Sequence, residues 1–458
     1  MTDHSRAIWH SMLLTFLFAA CGVSAESPKV LWSAPCFNVK PSSFFPVNFG
    51  KAGQILNLTP ASDGGCYVFG LLRGEATWNG NPVPSETEKT PRFLARFSAD
   101  GKLIWFQRFG FGPVQSQLVR DNAGDLIFGG QFLEDALFGT NVVKVGDNGA
   151  WVFSKLNADG KVLWVRRFMA PFGTPVDGLV ALRDRSLAFG GSFSGTLTIG
   201  TNTVKNEKQS SDIFIARLTD EGVGTAISAV QGDGQKQING MAVDRMDNIF
   251  ITGAFHGSMD FGVTNLISYT KSDIGNNAFI ARQTPDGRWH WAVSIGGREG
   301  GASGLRIAVD DEGNCYVTGY FFGKIEFAGQ VFSSAGEEDI FLCKLNPAGK
   351  VIWFRHFDRS YPYSEEENLA ISSDGRAYFT AFAAGSFGGV KIEKSAFLAG
   401  CDTNGNISWV APLNFSGLNA MKVILSRADR GDLYMNLGFA QTNESTSVFS
   451  LTKLGFEK

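Results

Sequence analysis

The sequence predicts an all-β fold built from one four-strand unit used again and again, and three observations carry that prediction. First, residues 305–309, 315–320, 340–345 and 351–357 form four β-like runs separated by turns, and most of the chain repeats this pattern. Second, a glycine ends the second run of successive copies at Gly70, Gly129, Gly190, Gly253, Gly319 and Gly438, with Ala381 in the sixth, at a period of about 60 residues. Third, a tryptophan marks the fourth run at Trp105, Trp164, Trp291, Trp353 and Trp409; the third copy lacks it. Four strands repeated at such a period describe the blade of a β-propeller. Seven second strands predict seven blades.

The composition suits many short strands and tight turns. Glycine supplies 55 of 458 residues, well above the usual share of about 7%. Phenylalanine supplies 40, and aromatic residues 13%. Dipeptides such as Asp100-Gly101, Asp159-Gly160, Asp286-Gly287 and Asn404-Gly405 stand between third and fourth strands, where tight antiparallel connections need them. The blades fall at about 54–110, 114–170, 177–232, 236–296, 302–358, 366–414 and 419–454. The seventh copy stops at its third strand. The segment Lys29-Val30-Leu31-Trp32, followed by Phe37, matches Lys350-Val351-Ile352-Trp353 followed by Phe357. The N-terminal strand, within 29–38, is therefore expected to complete the last blade and cover its edge.

Residues 1–25 read as a signal peptide. Arg6 precedes a short apolar run at 12–20, and Val23-Ser24-Ala25 supplies small residues for cleavage before Glu26. That run is too short to span a bilayer. A second route is cleavage before Cys21, because Phe18-Ala19-Ala20-Cys21 approaches a lipoprotein box with Phe18 where leucine is usual. Secretion and a lipid anchor at Cys21 both place the mature chain outside the cytoplasm, free or in the cell envelope. Beyond the leader, Cys36, Cys66, Cys315, Cys343 and Cys401 are odd in number and lack paired spacing, which argues against a disulfide framework or a zinc site.

The repeats resemble the bacterial β-propeller repeat of SBBP type. GNCYVTG at 313–319, EDIFLCKL at 338–345 and NPAGKVIW at 346–353 follow that family's pattern, and six of the seven copies match it to some degree. The resemblance implies a secreted or surface-attached propeller. It carries over no catalytic residue.

Function is far less legible. A net charge of −3 and a pI near 6.0 give no footprint for nucleic acid. Asp121, Asp244, Asp310 and Asp374 recur after the first strand and read as Asx turns; calcium would require acidic residues at alternate positions. Asp212 and Asp339, before the third strand, read the same way. His256, His290 and His356 lie in three blades with no metal-ligand spacing, so neither a metal nor another cofactor is expected.

Positions that break the repeat are the candidates. Tyr361, Tyr363, Glu365 and Glu366, between blades five and six, can stack on a sugar or hold a basic partner. Gly296-Gly297-Arg298-Glu299-Gly300-Gly301 reads as a mobile loop. Ser116, Asp177, Asn239 and Glu367 share one slot where the first strand enters the central channel; Asp177 and Glu367, from roughly opposite blades, are the candidate acid/base pair. Asn239, His256 and Arg298 complete the candidate binding residues. With sparse histidine and no nucleophile motif, the expectation is a monomeric, non-catalytic scaffold. Its long-loop face would bind a protein or polysaccharide at the bacterial surface. The alternative is an extracellular polysaccharide hydrolase or lyase.

Overall fold

The computed structural model describes residues 29–40, 53–72, 75–78, 81–83, 92–109, 116–138, 141–146, 149–169, 175–208, 210–268, 276–359, 368–413, 418–427, 433–441 and 447–455. The leader with Cys21, and the segment holding Tyr361, Tyr363, Glu365, Glu366 and Glu367, lie outside these residues. Among the described residues there is no helix, and every strand pairing is antiparallel.

The strands form meanders in chain order. Gly53–Pro60, Cys66–Leu72, Arg92–Phe97 and Leu103–Phe109 make the first. Similar four-strand sheets begin at Ser116–Arg120, Gly178–Ala181 and Asn368–Ile371. A larger sheet holds two meanders joined through Trp289–Val309, a 21-residue strand that ends unit four and begins unit five. At the C-terminus, Leu418–Arg427, Leu433–Gln441 and Ser447–Gly455 are followed in the sheet by Lys29–Lys40. Trp32 lies opposite Lys453, as Trp353 lies opposite Lys344 in unit five. The sequence match at residues 29–32 is thus a structural match as well. The second-to-third-strand connections carry hairpins, including Gly195–Ile199 with Asn202–Asn206 and Ser258–Asp260 with Asn265–Ile267.

The core lies between neighbouring sheets. Tyr67, Phe69 and Leu94 of unit one pack with Leu118, Phe128 and Val152 of unit two, and the rings of Phe69 and Phe128 are 4.5 Å apart. Ile55, Val68 and Phe93 pack with Ile424, Tyr434 and Leu451 near the other end of the chain. First strands touch in succession, from Gly53–Pro60 through each unit to Leu418–Arg427, which again touches Gly53–Pro60.

The two sequence landmarks have physical causes. Four of the tryptophans reach into the next unit, donating the indole N–H to a carbonyl in the turn before that unit's fourth strand. Trp105 bonds Ala158 O at 3.1 Å, Trp164 bonds Asp220 O at 2.8 Å, and Trp291 and Trp353 bond Pro347 O and Thr403 O at 3.0 Å each. Unit three, which lacks the tryptophan, uses Arg217 to reach Thr284 O at 3.3 Å. The glycine allows the first strand's backbone to come close. A Cβ on Gly253 would lie 1.9 Å from Gln237 O, and one on Gly319 would lie 2.0 Å from Ser303 O. By this test the third copy's landmark is Gly191, whose Cβ would meet Pro175 O at 2.2 Å; register likewise gives Gly130 in the second. Both are one residue beyond the expected Gly129 and Gly190.

Three other expectations change. The segment 296–301 is not a mobile loop. It is strand, pairing Gly296 with Glu326 and Gly300 with Gly323, and a Cβ on Gly300 would lie 2.2 Å from Phe322 O. Asp121, Asp244 and Asp310 do form Asx turns, but in unit six the slot is taken by Ser372, whose Oγ accepts the Arg376 N–H at 3.0 Å. Asp212 and Asp339 belong to strands and are buried, Asp212 in an ion pair with Lys236 and Asp339 in a hydrogen bond with His356. Cys66, Cys315, Cys343 and Cys401 are free and buried, and burial pushes each thiol up, to about 12 for Cys315 and Cys401.

Two outcomes are expected in thermal unfolding. A chain starting at Ser42 should melt at lower temperature than one starting at Glu26, because Ser447–Gly455 loses its neighbour; equal melting would remove Lys29–Lys40 from the stable fold. Trp164→Phe keeps the ring but loses the bond to Asp220, and should cost about 0.5–1.5 kcal/mol.

Candidate functional site

The bulge that brings a carbonyl onto the landmark glycine also adds a residue to the first strand. Register shifts between Ile238 and Gly240, and between Gly304 and Arg306, leave Asn239 and Leu305 as the extra residues. Asp177 occupies this slot in unit three, where its N–H donates to Gly190 O at 2.9 Å. The slot lies at the start of the first strand, on the face that carries the hairpins. The linker before unit four confirms the shared face: the N–H groups of His256 and Ser258, in the hairpin, donate to Gln235 O and Asp233 O at 2.8 and 3.0 Å.

The slot mostly ties units together. Asn239 donates its amide to Gly304 O at 2.8 Å and Ser303 Oγ at 3.2 Å in unit five. Its own carbonyl accepts from Arg306 at 3.5 Å. Gln117, one position further along in unit two, donates to Asp177 O at 3.3 Å. The Asp177 side chain makes no such tie. Its Oδ2 is buried without a hydrogen-bond partner, and burial pushes the carboxyl up to about 7. An acid held neutral can donate a proton, but Glu367, its expected counterpart, lies outside the described residues.

The remaining candidates are dispersed. His256 is half-buried, with its backbone in the hairpin-to-linker pairing, and Arg298 is exposed on the long strand. Asn239, His256 and Arg298 are not brought together by any recorded contact. The candidate residues Tyr361, Tyr363, Glu365 and Glu366 fall outside the described residues.

Two features escaped sequence reasoning. A cavity of about 300 Å³ lies among the first strands of units one, two and seven, lined by residues including Asn57, Thr59, Leu118, Arg120 and Ser426. Thr59 donates to Leu118 O and Arg120 to Pro60 O, both at 3.0 Å, so its polar walls also join units. The second feature is the Asp339–His356 pair, 2.7 Å between Oδ2 and Nδ1. No spacing signals it, because the two residues meet across neighbouring strands. Among the described residues, no cluster of three or more His, Cys, Asp or Glu side chains could hold a metal ion.

No family model and no curated protein matches this sequence, so the resemblance to the bacterial β-propeller repeat stands on its quoted motifs. Solved structures share its shape more loosely. The chain is similar to the polysaccharide lyase Uly1, with TM-score 0.47 and 11% identity over 94% of this chain and 99% of that one. It is similar to a protein of unknown function from Dyadobacter fermentans, with TM-score 0.41 and 9% identity over 94% and 100%. YCF48 bound to D1 peptide gives TM-score 0.37 and 10% identity over 93% and 97%. Likeness at this level assigns no activity.

Asp177 carries a pH signature with a definite sign. Its carboxyl binds a proton more tightly folded, at about 7, than at the ordinary 3.8. Between those values the folded state holds the extra proton, so this residue's contribution to stability falls as pH rises, then levels off above about 7. Asp177→Asn should therefore raise the melting temperature more at pH 8 than at pH 4.5. A difference that is the same at both pH values would mean that Asp177 is solvated.

Proposed function

We propose that this chain is an exported, seven-bladed β-propeller acting as a non-catalytic scaffold, whose hairpin face binds a protein or polysaccharide at the bacterial surface. The unbroken succession of first-strand contacts, ending where it began, supports seven blades in a ring. The pairing of Lys29–Lys40 with Ser447–Gly455 supports closure by the N-terminal strand. Export, to the medium or the envelope, rests on residues 1–25, and a monomer is the simplest state for such a disc.

One observation favours binding over catalysis: apart from Asp177, the polar side chains named at the first-strand mouth are spent on joining units. Gln117, Asn239 and Arg306 each bond a neighbouring strand, and Asp177 turns a buried oxygen away from solvent. Meanwhile the hairpins of units two, four and five expose Val142, Val263 and Val331 at 58%, 57% and 65%. Rigid sheets that hold exposed hairpins on one face suit recognition.

The second reading is an extracellular polysaccharide hydrolase or lyase using Asp177 and Glu367. The raised Asp177 carboxyl is what favours it, since a general acid near neutral pH needs such a shift. Affinity electrophoresis through gels containing a panel of polysaccharides separates the two. Retarded migration with the polysaccharide left intact is the expected result for a saccharide-binding scaffold. Cleared zones would overturn the scaffold reading and make Asp177→Asn and Glu367→Gln the next variants; migration unchanged on every gel would leave the protein partner.

A further inference from the structure

Two units bury a carboxylate at the same place and give it different partners. Asp212 lies opposite Phe193 in unit three, and Asp339 lies opposite Phe321 in unit five. The partner of Asp212 is Lys236, from the next unit's first strand, at 3.0 Å. That lysine side chain is 0% exposed, and its ammonium also reaches Ser211 O and Gly234 O. Nothing in the pair faces outward.

The partner of Asp339 is His356, from the fourth strand of its own unit. Asp339 is 0% exposed; its Oδ2 meets His356 Nδ1 at 2.7 Å, and its Oδ1 accepts the Ala335 N–H at 3.1 Å. His356 is 37% exposed. A buried carboxylate that accepts from Nδ1 fixes the imidazole's orientation, so Nε2 becomes its outward edge. Phe321 and Phe332 flank that ring, with centroids 5.5 and 6.0 Å away, and Phe332 is only partly buried. Asp358, exposed, lies directly across from Asp339 and so projects from the same sheet face as His356. An oriented nitrogen, a carboxylate and an aromatic ring thus lie on one sheet face beside the unit-five hairpin.

From this geometry we infer that this exposed patch is a subsite for a neutral sugar ring. The C–H face of the sugar packs on Phe332, and its hydroxyls bond His356 Nε2 and Asp358. Asp358 on the same face disfavours uronates and phosphates. The inference rests on the polysaccharide branch of the proposed function and gives that branch a location.

The test follows the imidazole resonances of the labelled full chain by NMR during titration with maltohexaose, cellohexaose and xylohexaose, and separately with methylammonium. The expected result is a shift at His356, but not at His256 or His290, with at least one hexaose. His356→Gln, whose amide can still bond Asp339, should weaken that binding about tenfold, the worth of one good hydrogen bond. Phe332→Leu should weaken it as well, by removing the platform while keeping an apolar side chain. A hexaose that binds both variants as tightly as the unaltered chain, with His356 unmoved, would overturn the subsite and leave the saccharide scaffold standing elsewhere on the face. Binding of no hexaose, together with no retardation on any polysaccharide gel, would overturn both. A His356 response to methylammonium alone would overturn the sugar assignment in favour of an amine.

Discussion

Among the described residues, inner strands such as Leu126–Phe132, Ala150–Leu156 and Ile249–Phe255 are buried on both faces, and neither face can be buried without a neighbouring sheet. That constraint accounts for most of the structure. Phe69 and Phe128 meet from different units, as do Phe153 and Phe189, whose rings are 4.6 Å apart. Full burial of such a ring contributes roughly 1.5–3 kcal/mol, so separating two units would expose several of them at once. The polar ties between units add direction to this attraction. Indole N–H groups at one end of the strands, and Asn239 and Gln117 at the other, fix how each sheet sits against the next.

Much of this was legible because the repeated residues have repeated jobs. Trp164 stands out in the sequence for the same reason it matters in the fold: its indole bonds the adjacent unit. The glycine landmark was harder to place. Gly129-Gly130 and Gly190-Gly191 offer two adjacent choices, and only the approach of Pro175 O distinguishes Gly191 from Gly190. At 296–301 the glycine content suggested a loop, yet those glycines serve close strand pairing against 322–326. Local composition does not reveal which backbone lies opposite.

The site was legible in position more than in behaviour. Asp177 and Asn239 do share a slot, as their spacing from the landmarks implied. The amide is tied to unit five and the carboxyl is left without a partner, which only the surrounding atoms could decide. Asp212 and Asp339 teach the same lesson. Both resemble turn-forming aspartates in sequence, because the lysine or histidine that partners each comes from another strand. One slot can thus hold a fully enclosed pair in unit three and a pair with an exposed imidazole in unit five.

The pairing of Lys29–Lys40 with Ser447–Gly455 has a consequence for how the chain reaches this state. This strand also pairs briefly with Glu75–Trp78, but its long pairing is with a strand far away in sequence and must wait until that strand is available. Contacts this distant in sequence are slow to form, and unpaired strand edges invite association with other chains in the interval. Order of emergence thus becomes part of the folding problem. Lys29–Lys40 precedes Ser447–Gly455 by most of the described chain, so the pairing that joins them forms late.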